Sequence, residues 1–132
     1  MTQILLFDFF NTLYFPQHLR EPLNQELIEF VRQHASQHPS YIFTSAAPIF
    51  LERQRSKLVP PFTDLFSSKK IGSKNDPQSY LKLADQLQLT PTEIIFVDDS
   101  ETKLAAATAA GLTPVHYTAN DQVIRQLTQL LS

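Results

Sequence analysis

Apolar residues fall along this chain in two alternating rhythms. Short continuous runs, Ile4-Leu5-Leu6-Phe7 and Ile94-Ile95-Phe96-Val97 above all, are separated by segments in which apolar positions recur every three or four residues. Runs this short, bounded by turn residues, predict buried strands, and the longer spacing predicts helices packed against them. Glu21-Pro22 is expected to open a helix that buries Leu23, Leu27, Phe30 and Val31 and stops at Pro39-Ser40. Tyr41-Ile42-Phe43 predicts a second strand ending at Thr44-Ser45, and Pro48 then starts a helix that runs to about Leu58 and is stopped by Pro60-Pro61. A short strand is expected around Ser68 to Ile71.

Asp76-Pro77 sets a capping acceptor before a proline at the first helical position, with Tyr80, Leu81, Ala84 and Leu87 following at helical spacing. Thr90-Pro91-Thr92-Glu93 has the form of a capping box. An alanine-rich helix is expected from Ser100, stopped by Gly111. Thr113 to Tyr117 predicts the last strand, and from Asn120 a closing helix should turn Val123, Ile124, Leu127, Leu130 and Leu131 inward. Strands alternating with helices predict an α/β fold: a three-layer, Rossmann-like sandwich around a mostly parallel five-stranded sheet.

The 132 residues suffice for one domain, 1–132, around a single core. With 42% apolar and 18% charged residues, the composition is that of a soluble globular protein. The absence of cysteine excludes disulfides, thiolate metal sites and a cysteine nucleophile. A net charge of −2 offers nothing to nucleic acid or to anionic membranes. Only two glycines are present, so a glycine-rich phosphate loop is excluded, and phosphate would have to be held by side chains and ordinary backbone amides. No apolar run is long enough to cross a bilayer, and the N-terminus lacks a basic region and cleavage site, so a cytoplasmic protein is expected.

The chemistry begins where the first strand ends, in Asp8. A carboxylate closing a buried strand is costly unless it is paired or metal-bound, and the carboxyl edge of an α/β sheet is where ligands bind. Asp98-Asp99 closes another buried strand. Adjacent carboxylates repel, and with Asp8 they offer an oxygen-rich site suited to Mg²⁺. Lys74, before the Asp76-Pro77 helix start, is a candidate to neutralise them. The hydroxyls of Thr44 and Ser45 end the second strand. His18, His34, His38 and His116 share no spacing with acids and read as surface or loop residues.

In this order Asp8, Thr44-Ser45, Lys74 and Asp98-Asp99 resemble the four signature positions of the haloacid dehalogenase superfamily, hydrolases that use an aspartate nucleophile and mostly cleave phosphate esters. The resemblance implies that Asp8 attacks phosphorus to form an aspartyl-phosphate. It implies that Lys74 stabilises charge, and that Thr44 by its side chain and Ser45 by its amide grip the phosphoryl group, or the reverse. Thr12 then orients the turn and the phosphate. Asp8, the Phe10 carbonyl, Asp98 and Asp99 become the Mg²⁺ ligands.

Two positions depart from the family pattern. Phe10 stands where the phosphatases carry the aspartate that acts as general acid and base, and Lys103 stands where relatives often supply another metal-supporting group. The resemblance therefore implies a Mg²⁺-dependent phosphate monoester hydrolase with slow turnover. The alternatives are a catalytically degenerate binding or regulatory module and, third, a dehalogenase, since dehalogenating members carry an aromatic residue at this position. Only about thirty residues separate the first motif from the second and the second from the third, so no cap domain is expected. The expected partner is a phosphorylated small molecule or macromolecule. Of Phe9, Phe10, Tyr14, Phe15, Ile49 and Phe50, some are expected in the core, and those exposed together would form an apolar rim that allows a homo-oligomer.

Overall fold

In the computed structural model, which describes residues 3–132, the first strand sets the architecture. Strand β1 (Ile4–Phe7) is buried along its whole length, with Leu5 and Phe7 in one core and Ile4 and Leu6 in another. A strand covered on both faces belongs at the centre of a sheet. It pairs in parallel with β2 (Ser40–Thr44) on one side and with β4 (Ile94–Asp98) on the other. Outside these lie β3 (Asp64–Ser67) and β5 (Thr113–His116), giving the order β3-β2-β1-β4-β5 with every pairing parallel.

Helices cover both faces. On the side of Leu5, Phe7, Ile42, Ile95 and Val97 pack α1 (Gln25–His34), α2 (Pro48–Leu58) and α6 (Asn120–Leu131). The opposite side, built on Leu6, Phe43 and Phe96, is covered by α3 (Ser68–Ile71), α4 (Pro77–Gln86) and α5 (Glu101–Ala109). The three-layer sandwich is thus observed. Between β1 and β2 the chain forms one loop and α1, and between β2 and β3 it forms α2, so no further folded unit is inserted there. Among the described residues, no helix is long and apolar enough to cross a membrane.

Two elements differ from expectation. Residues 68–71 are a helical turn rather than a strand. The strand lies one step earlier, where Leu65 and Ser67 are buried in alternation, and the Ser67 hydroxyl then accepts the Lys69 N–H and starts the turn. Gly72 closes it at φ +136°, a conformation costly for any other residue. The first helix starts at Gln25, not at Glu21-Pro22. The Pro22 carbonyl accepts the Phe15 N–H, Leu23 bridges to Tyr14, and Asn24 caps the helix by accepting the Leu27 N–H. Of the candidate rim residues, Phe9 is wholly buried in the core, Phe10, Tyr14 and Phe50 are half-buried against it, and Ile49 is exposed.

Candidate active site

The winding of the chain reverses at β1, with β2 and β3 laid down on one side and β4 and β5 on the other. Strand ends diverge at such a switch point and leave a crevice. Asp8 stands there, its backbone N–H donating to the Val97 carbonyl at 2.8 Å, which sets it level with Asp98 at the end of β4. Both residues continue the side-chain parity of Leu6 and Phe96, so both carboxylates belong to the face that α4 and α5 cover.

That face supplies their cation. Lys74, in the loop between α3 and α4, is 3% exposed, and its ammonium lies 5.8 and 5.5 Å from the ring centres of Phe43 and Phe96. The ammonium donates to Asp8 Oδ1 and lies 3.2 Å from Asp98 Oδ2. The loop is held by Tyr80, whose hydroxyl donates to the Lys74 carbonyl at 2.6 Å. Burial, followed by the charges of Asp98 and Asp8, pushes the Tyr80 phenol well above its ordinary range, so it stays a donor.

Asp98 is fully buried. Its Oδ1 accepts the Ser100 N–H at 2.9 Å, but its Oδ2, despite the nearby ammonium, has no hydrogen bond. Asp99 is more open, and its carbonyl accepts from His116 Nε2 at 3.0 Å, a contact the sequence did not signal. Carboxylate oxygens of Asp8, Asp98 and Asp99 lie within 4.8 Å of one another. Burial pushes Asp8 up from 3.8 to about 7; Lys74 pulls against this, and Asp98 adds to it. Asp99 is raised as well, first by burial and then by its contact with Asp98.

When all three are ionised, the carboxylates share one ammonium, which leaves two negative charges uncompensated. A small divalent cation bound by oxygen matches that deficit, and the orphaned Asp98 Oδ2 is the kind of atom such a cation satisfies. The donor set therefore fits Mg²⁺. The Phe9 carbonyl accepts the N–H groups of Thr12, Leu13 and Tyr14, closing the turn after Asp8, and the Phe10 carbonyl takes none of these bonds.

Thr12 is fully buried, with its hydroxyl donating weakly to Asp8 Oδ2 at 3.5 Å. Thr44 is also buried, and its hydroxyl oxygen accepts the Ala46 N–H at 3.1 Å, whereas Ser45 is exposed. Lys103 lies in the first turn of α5, with its N–H directed to the capping Ser100 hydroxyl. Asn24 was missed by sequence reasoning. Its amide donates to the Thr12 carbonyl at 2.9 Å, to Asn120 Oδ1 at 2.8 Å and to the Tyr117 hydroxyl at 3.3 Å, tying the turn after Asp8 to the end of β5 and the start of α6. A cleft of about 450 Å³ opens beside this network, lined by Phe15, Leu23 and Tyr117 rather than by the carboxylates.

A parallel α/β sheet with an aspartate at its switch point, a buried lysine and a second acidic strand end gathers the candidate chemistry at one sheet edge. The sequence model of haloacid dehalogenase-like hydrolases matches residues 19–111, and the chain belongs to that family. The matched segment holds Thr44, Lys74, Asp98 and Asp99, and it begins after Asp8 and Phe10. Among curated relatives, the enolase-phosphatase of Persephonella marina is 36% identical over 56% of this chain, and the match spans 34% of that protein. Among solved structures, a dehalogenase with an intermediate complex has TM-score 0.80 at 14% identity, over 98% of this chain and 97% of that one. A haloacid dehalogenase family enzyme of Bacteroides thetaiotaomicron, with alanine replacing an aspartate and in complex with magnesium and inorganic phosphate, has TM-score 0.72 at 12% identity, over 91% and 96% of the two chains.

Proposed function

We propose that this protein is a Mg²⁺-dependent hydrolase of phosphate monoesters that works through an aspartyl-phosphate on Asp8, with slow turnover. The observation that carries the reading is the buried Asp8–Lys74–Asp98 set at the switch point, with Asp99 completing a cluster two positive charges short of neutrality. Asp8, the Phe10 carbonyl, Asp98 and Asp99 would hold the Mg²⁺, which supplies neutralisation of the phosphoryl oxygens and of the crowded carboxylates. The likeness to an enolase-phosphatase supports phosphate ester chemistry, and a magnesium- and phosphate-bound neighbour supports the metal.

In this reading Lys74 orients Asp8 and favours its ionised form. An Asp8 oxygen attacks phosphorus in line, the ester P–O bond breaks, and water then cleaves the acyl phosphate. Thr44 and Ser45 hold the phosphoryl oxygens by hydroxyl and amide, and Thr12 steadies the turn. Phe10 can neither protonate the leaving oxygen nor activate the water, a loss that costs about 10²–10⁴ in rate. The substrate is a phosphorylated small molecule or macromolecule that reaches the carboxyl edge of the sheet directly.

Phe10 and Lys103 together favour a second reading, a binding or regulatory module that keeps the metal but not the turnover. A dehalogenase ranks third. Hydrolysis of an activated aryl phosphate, measured with and without Mg²⁺ and beside Asp8→Asn, separates them. Mg²⁺-dependent turnover that disappears in the variant supports the phosphatase. Mg²⁺ binding by folded protein with no release of phosphate refutes turnover and supports the module, while halide release from a 2-haloacid supports the dehalogenase.

A further inference from the structure

We infer that the leaving-group side of this site is an aromatic wall, formed by Phe10, Phe50 and Tyr14, that selects phosphate esters of phenol-type alcohols over alkyl phosphates. The inference rests on the phosphatase reading above and names its substrate class. Two separate observations lead to it.

The first is geometric. Phe10 follows Asp8 by two positions, and Phe50 lies in the first turn of α2, which the chain enters directly from Thr44-Ser45. The loops that follow β1 and β2 thus each bring a ring to the sheet edge that holds the nucleophile. Phe10 and Phe50 stack with centres 5.9 Å apart and planes 25° apart, and Tyr14 meets both edge-on at 5.8 and 5.9 Å. Phe9 lies wholly buried among them, stacked on Tyr14 at 5.0 Å, and fixes the group from the core. Phe10, Phe50 and Tyr14 stay half-buried, so part of the ring cluster remains accessible. Such a surface is matched by another flat ring, which gains both apolar burial and stacking.

The second is chemical. No acid stands at position 10, and in the phosphatase reading above the ester oxygen departs without a proton from that position. When the Asp8 oxygen–phosphorus bond forms and the phosphorus–oxygen ester bond breaks, the leaving oxygen keeps the bonding pair and is protonated later by water. Phenols, with pKa about 10, leave in this way far more readily than aliphatic alcohols. The residue that removes the acid is therefore one of the residues that builds the ring-binding surface, and both consequences select the same ester.

The test compares the binding of benzylphosphonate and ethylphosphonate in saturating Mg²⁺ by calorimetry, their methylene standing in for the ester oxygen. Wild-type protein should bind the benzyl compound about tenfold more tightly, and Phe50→Ala, shown folded by circular dichroism, should bring the ratio close to one. Equal affinities in wild type, or a ratio unchanged by the substitution, overturn the aromatic wall and leave the phosphatase reading standing. Failure of both phosphonates to bind overturns the two together.

Discussion

On the proposed mechanism, position 10 decides how this site behaves. Asp8, Lys74 and Asp98 form a buried set whose charges are held close together, and Phe10 sits two residues from Asp8 with its ring packed on Phe50 and Tyr14. In that reading, replacing it by aspartate supplies the missing acid and base. For Phe10→Asp we expect turnover of an alkyl phosphate to rise by about 10²–10⁴-fold in saturating Mg²⁺. Taking the ring away from Phe50 and Tyr14 should lower stability at the same time, and steady-state kinetics beside urea denaturation measures both. No gain in turnover would place the rate limit elsewhere than in proton transfer. Asp8 and Lys74 were legible in the sequence because a carboxylate closing an apolar run and a lysine before a proline-started helix are local patterns. The difference between Phe9 and Phe10 was not legible, since strand alternation ends at Asp8 and a turn decides which of two adjacent rings faces inward.

The elements around the site are fixed by caps as much as by apolar faces. Ser67, Asp76 and Ser100 each accept an N–H at the start of a helix, and these three starts carry the chain into α3, α4 and α5 beside the carboxylates. Asn24 does more than cap α1, because its amide also holds the Thr12 carbonyl and reaches Tyr117 and Asn120. Asn24→Ala should therefore destabilise the protein by about 1–2 kcal/mol, at the upper end for a missing cap, as read from the urea midpoint. A change of a few tenths would mean that the network closes without it. The sequence marked Asp76-Pro77 and the Thr90-Glu93 box correctly because their partners are two or three residues away. It could not mark Asn24, whose partners Tyr117 and Asn120 lie 93 and 96 positions along the chain. The strand misplaced at Ser68–Ile71 has a similar cause, since Ser67 can end a strand or cap a helix and only the packing of β3 on β2 decides.

For the whole molecule, the sheet order converts separated motifs into one charged pocket, and that pocket couples fold to pH. Asp8 is raised to about 7 in the folded chain, above the value near 3.8 it has when exposed. The folded state therefore holds the proton more tightly. The contribution to stability is full below about pH 4 and is lost as the pH rises through about 7, so metal-free protein should weaken across that window. In the proposed reading Mg²⁺ binds the ionised form and should reverse the trend, and Asp8→Asn should flatten it. Thermal unfolding at several pH values, with and without Mg²⁺, reads all three effects. A wild-type stability independent of pH from 4 to 7 would contradict the charge account of the pocket. The alternation of strands and helices made the parallel sheet and its two helical layers legible from the sequence, because parallel strands require crossovers, whereas the strand order that brings Asp8 beside Asp98 was not. The central claim, that Asp8 is a nucleophile, is tested most directly by mixing the protein with an activated aryl phosphate and Mg²⁺, quenching in acid, and measuring the intact mass and the modified peptide. The account predicts one phosphoryl group on Asp8, absent from Asp8→Asn. Phosphate released with no covalent adduct at any quench time, or an adduct on another residue, would contradict it.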